Sequence, residues 1–148
     1  MNSVGTTILL SLSVVLISAT GCHESGVWSD DKKNWKRIFR VDKPPNVEVL
    51  NSWFSRSPHW SYEYEYFIHI KRNDSFSNHL FGLNKMKRLE SSEEISDAAR
   101  FSQNKPEWFA PKLPGMYEIW IYESPPRGEF KVLVDKESGD LHLTDCQL

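Results

Sequence analysis

The chain is poor in the groups around which most catalytic folds are built. It has two cysteines, Cys22 and Cys146, too few for a disulfide-stapled scaffold or a four-thiolate zinc site. Its seven glycines are scattered, so no glycine-rich loop can cradle a phosphate. There is no Gly-x-Ser-x-Gly elbow and no His-Glu-x-x-His pair. A basic excess is missing too. The formal net charge is −2, and the clusters Lys32-Lys33, Lys36-Arg37 and Lys85-Lys87-Arg88 sit among acids and read as solvated surface. That balance argues against nucleic acid as a partner. Most telling is the N-terminus, where no Lys, Arg, Asp or Glu occurs from Met1 to Gly21.

That uncharged stretch holds an apolar run, Ile8 to Ala19, ending in Ala19-Thr20-Gly21-Cys22. A bilayer-spanning helix needs roughly 20 apolar residues, so the shorter run suits the central part of a signal peptide. Small residues before a cysteine resemble the lipobox of bacterial lipoproteins. Ala19 stands where that family usually has Leu, and Met1–Thr7 lacks the usual basic residue. The resemblance implies cleavage before Cys22, lipidation of that cysteine, and an exported protein held to a bacterial membrane. The alternatives are an ordinary signal peptide cut nearby and an uncleaved anchor helix. With Cys22 lipidated, Cys146 has no partner within the chain; otherwise a Cys22–Cys146 bridge is open to it. An acyl anchor, at roughly 0.8 kcal/mol per buried CH₂, leaves the rest of the protein no need of a membrane-binding surface.

This divides the chain into a signal peptide over 1–21, a polar tether over 22–34 and one domain over 35–148. Within the domain, strand signals dominate. Trp35–Val41 reads as a first strand closed by Pro44-Pro45, and Val47–Phe54 as a second. In Trp60–Lys71 a period of two sets Trp60, Tyr62, Tyr64, Tyr66, Ile68 and Ile70 on one face. Ser61, Glu63, Glu65, Phe67, His69 and Lys71 take the other, as in a half-solvated antiparallel strand. A short helix is expected around Ser75–Phe81, capped by Asn73-Asp74 and stopped by Gly82. A second opens on a Ser91/Glu94 capping box and runs to about Phe101, with Ile95, Ala98 and Ala99 as its buried stripe. Three strands close the chain: Tyr117–Glu123, Phe130–Asp135 and Leu141–Thr144, with Gly139 supplying the left-handed residue of the last turn. The expected fold is α+β, an antiparallel sheet of five or six strands with one or two short helices on one face.

The segment Trp108-Phe109-Ala110-Pro111, with Asp135-Lys136-Glu137-Ser138-Gly139 and Leu143-Thr144-Asp145, resembles the C-terminal part of small secreted bacterial proteins of uncharacterised activity. The Val132–Gly139 stretch is also similar to a strand and turn of small secreted PepSY-like domains. The first resemblance brings no known activity with it, and the second rests on a hairpin pattern that many proteins share.

Distance limits the chemistry these side chains can share. His59, Glu63, Glu65 and His69 share a strand face, but at roughly 3.3 Å per residue the two histidines lie about 33 Å apart. Metal–ligand bonds are near 2 Å, so these four do not form one site. Glu63 and Glu65, about 6.6 Å apart, have a glycosidase-like spacing but share one environment, whereas such acids need two. His142 and Cys146 are about 13 Å apart on a strand. No metal or cofactor is expected. What remains is an aromatic excess of six Trp, five Tyr and eight Phe. It serves either a core or a stacking surface, for which Trp53, Trp60, Tyr62, Tyr64, Tyr66, Trp108 and Phe109 are the candidates. The function expected is a non-catalytic binding or interaction domain on a lipid anchor, with an envelope protein or a glycan as partner. The alternatives are an envelope hydrolase and an inhibitor or immunity-type protein.

Overall fold

A computed structural model describes residues 24–58, 63–124 and 129–147. These residues form a seven-stranded antiparallel sheet with three short α-helices, an α+β fold as the sequence pattern predicts, with more strands than the pattern reveals. The strands are β1 (Gly26–Ser29), β2 (Val49–Arg56), β3 (Tyr64–Ile70), β4 (Met86–Arg88), β5 (Tyr117–Tyr122), β6 (Lys131–Asp135) and β7 (Leu141–Gln147). Their order across the sheet is β1-β2-β3-β7-β6-β5-β4. The helices are α1 (Asn34–Phe39), α2 (Asp74–Leu83) and α3 (Ser92–Ala98), with a 3₁₀ turn at Pro114–Met116. Among the described residues no helix is long and apolar enough to cross a membrane.

The segment read as a strand at Trp35–Val41 is instead the helix α1. Trp35, Ile38 and Phe39 lie three and four residues apart, one helical face, and all three pack into the core. The Trp35 and Phe39 rings are 4.3 Å apart, and Phe76 of α2 meets them at 5.6 and 6.3 Å. Arg40, at φ 62°, ends the helix in the left-handed region. The place beside β2 belongs to β1, which lies within the stretch assigned to the tether and pairs Gly26–Ser29 with Arg56–Trp53.

β3 also departs from expectation. It lies inside the sheet between β2 and β7, and both its faces are covered. Tyr66, Ile68 and Ile70 face α1 and α2 with Leu141, Leu143 and Val132. The face expected to be solvated carries Phe67, 1% exposed, and Glu65, 7% exposed. Phe67 packs with Phe109, Tyr117, Ile119 and Leu133, and Ile95 and Ala98 of α3 lie against that cluster. Helices therefore pack on both faces of the sheet, α1 and α2 on one and α3 on the other.

Local chemistry explains the remaining elements. The Asn73 side chain accepts from the Phe76 N–H and opens α2, which runs through Gly82. The stop comes from Asn84, whose amide donates to the Leu80 carbonyl at 2.6 Å. Ser91 and Glu94 form the expected reciprocal cap of α3. Gly139 closes the β6–β7 turn at φ 78°, and a Cβ there would lie 2.8 Å from the Arg72 Cδ.

Candidate functional site

The Trp108–Pro111 and Asp135–Asp145 pieces of the C-terminal part come together around one histidine. His142 is 3% exposed, stacked on His69 at 4.1 Å and met edge-on by Phe109 and Tyr117. Its Nδ1 accepts from the Ala110 N–H at 3.3 Å, which holds Ala110 at φ 43°. Burial, then the neighbouring His69, pushes the His142 imidazole down to about 4. Lys112, just past Pro111, reaches Asp135 at 2.8 Å, and Asp135 Oδ1 accepts from the Glu137 and Ser138 N–H groups. These residues fasten the 100–116 segment to the sheet. Their work is architectural.

What the fastening creates is a cleft of about 690 Å³ between residues 100–102 and one end of the sheet. β3 contributes Glu65, β7 contributes Thr144 and Cys146, and β6 contributes Lys131. The strand register places Glu65 opposite Cys146 and Thr144 opposite Lys131, so these four alternate-position side chains share one face. Phe67 and Phe101 supply the apolar walls, and both rings lean on Phe109, at 4.9 and 5.4 Å. Asn104 donates to Glu65 Oε2 at 3.0 Å. Lys131 bonds to Glu129 and to the Arg100 carbonyl, both at 3.4 Å, with its ammonium 5.7 Å from the Phe101 ring centre. A neighbouring cavity of about 700 Å³ shares Arg100, Glu129 and Lys131 and extends the cleft under α3.

The groups lining the cleft bear on the chemistry it can support. Burial, followed by the charges of Glu65, Glu129 and Asp145, pushes the Cys146 thiol up, the reverse of what an attacking thiolate needs. His142 lies four residues along β7 and is occupied by Ala110. Among the described residues no three His, Cys, Asp or Glu side chains gather as a metal-binding group. A groove of about 720 Å³ also runs beside the far end of β2, but none of its ionisable side chains is buried.

The aromatic candidates are not one surface. Trp53 lies on the cleft face against Phe67, at 5.7 Å. Phe109 is fully buried, with Trp108 beside it at 6.1 Å. Tyr64 and Tyr66 are on the opposite face, stacked on each other at 6.2 Å, with the Tyr64 hydroxyl donating to Asp145 at 2.7 Å. Burial and that carboxylate raise the Tyr64 phenol. The alternation that put these tyrosines in line makes them core on the α1 side. Trp60, Tyr62, His59 and Cys22 lie outside the described residues. Of Glu63 and Glu65, Glu65 lines the cleft and Glu63 does not. Lys131, Asn104, Phe101 and Glu129 carried no sequence signal, since each matters only through the segment folded over it. Comparison with protein-family models, curated proteins and solved structures finds no match to this chain.

Proposed function

We propose that this chain is an exported, lipid-anchored protein whose small domain binds a ligand or partner in the cleft beside Glu65 and Lys131, without turning it over. The observation that carries this reading is the convergence of a buried carboxylate, a largely covered ammonium, a hydroxyl and two aromatic walls from four separate segments. A concave site with a few convergent polar groups is what small-ligand recognition requires. The anchor part rests on Ala19-Thr20-Gly21-Cys22, and the raised Cys146 thiol, among the described residues, favours binding over catalysis.

The test uses the full chain, purified in detergent micelles and labelled for amide NMR. Short peptides and neutral oligosaccharides are titrated in, and the amides of Glu65, Lys131 and Thr144 are expected to shift first. Shifts confined to other surfaces would remove the cleft from consideration. One observation favours a second reading, that of a hydrolase. Glu65 is buried while Glu129, across the cleft, is 72% exposed, and paired acids require such unlike environments. Product release from a titrated oligosaccharide, lost in Glu65→Gln, would establish it instead.

A further inference from the structure

Glu65 is a carboxylate taken out of water without a counter-ion. It is 7% exposed, and its one hydrogen bond comes from the neutral amide of Asn104. No ion pair reaches it among the described residues. Its second oxygen, Oε1, takes no hydrogen bond there and is not sealed off, because Glu65 lines the cleft. An acceptor oxygen left open toward a cleft is a ready partner for a ligand's N–H donors. The cations that share the cleft do not reach Glu65: Lys131 meets Glu129 and the Arg100 carbonyl, and Arg100 meets Asp97 at 3.2 Å, pairs whose exposed acids a ligand carboxylate can replace. The Phe101 ring, with the Lys131 ammonium 5.7 Å from its centre, is a wall of the cleft that attracts cations.

The register sets the other half of the argument. Glu65 and Lys131 lie two strands apart and are offset by two residues along them. Strand spacing and rise make that a backbone separation of about 12 Å. An extended tripeptide spans about 10 Å, at ~3.3–3.6 Å per residue. We infer that the cleft binds a short peptide with free ends, its ammonium on Glu65 and its carboxylate toward Lys131 and Arg100. This rests on the cleft being a binding site and adds the class of ligand it takes.

The probes are tri-alanine, N-acetyl-tri-alanine, tri-alanine amide and chitotriose, titrated into the full chain in micelles and followed by amide NMR. Tri-alanine is expected to shift the Glu65 and Lys131 amides, with acetylation weakening binding at least tenfold. Glu65→Gln is expected to weaken tri-alanine about tenfold and leave the acetylated probe unchanged, and Lys131→Met to do the same for the free carboxylate against the amide. Because capping alters the probe and not the protein, that comparison stands even if a variant folds poorly. Equal binding of free and acetylated peptide, or indifference to Glu65→Gln in a well-dispersed spectrum, overturns the inference. Chitotriose shifting the cleft amides while tri-alanine does not would overturn the peptide and keep the binding cleft. If neither probe moves them, both fall.

Discussion

At the scale of single residues, His142 shows how a buried side chain links the fold to pH. Its ring accepts the Ala110 N–H and touches His69, so a proton there costs a hydrogen bond and adds a repulsion. With a folded-state value of about 4, against roughly 6.5 in the unfolded chain, the proton binds the unfolded state first. The stability tied to neutral His142 is therefore complete above about pH 6.5 and declines until about pH 4. Between pH 7 and pH 5 the loss from this one group is on the order of 2 kcal/mol. Asp145 acts in the opposite sense. Burial raises its carboxyl, so what it contributes is present at low pH and lost as pH rises. Comparing wild type with His142→Gln isolates the histidine, because Asp145 is common to both. Denaturant melts at pH 7 and pH 5 are expected to show the variant with the shallower pH dependence. Parallel losses in the two proteins would mean that His142 is not the group responsible.

At the scale of elements, what was legible in the sequence is what local chemistry decides. The Ser91/Glu94 cap, the Gly139 turn and the alternating strands of the C-terminal meander are each specified within a few residues, and each is present. Trp35, Ile38, Phe39 and Val41 are strand-favouring residue types, while the spacing of Trp35, Ile38 and Phe39 suits one face of a helix. Six residues are too few for the period to separate the two. β1 was hidden because Gly-Val-Trp-Ser is short and sits among polar residues. The site was the least legible part. Glu65 looks solvated until residues 100–104 fold over it, and nothing near it in sequence announces that cover. Two expectations belong here. α3 has seven residues and none is buried, so it depends on its cap more than on packing. Ser91→Ala should cost it about 1 kcal/mol, read as roughly fivefold faster hydrogen exchange of the α3 amides with global stability little changed. Replacing Gly26–Ser29 by a Gly-Ser linker should lower the melting temperature, since Trp28 packs on Phe54 at 5.9 Å and under Arg37 at 4.3 Å. A mere tether would tolerate that exchange without change.

At the scale of the molecule, the position of β1 bears on the proposed anchor. Gly26 pairs with Arg56, Arg56 with Tyr64, and Tyr64 with Gln147, so one cross-strand row joins the start of β1 to the end of β7. That row borders the cleft, whose lining includes Gln147 and Cys146. Cys22 precedes Gly26 by four residues, a covalent reach of at most about 14 Å. A lipid on Cys22 would thus hold the cleft end of the sheet near the headgroups and leave the β6–β7 turn at residues 136–140 at the far end. Two measurements check this. Protein recovered from cells should be heavier than the polypeptide beginning at Cys22 by its acyl groups, and Cys22→Ala should lose that excess. In nanodiscs carrying a nitroxide headgroup, the amides of Gly26, Arg56 and Gln147 should broaden, while those of Glu137 and Gly139 stay sharp. An unmodified mass would end the lipid assignment, and broadening strongest at the 136–140 turn would mean that the domain stands on the membrane the other way up, with its cleft turned outward.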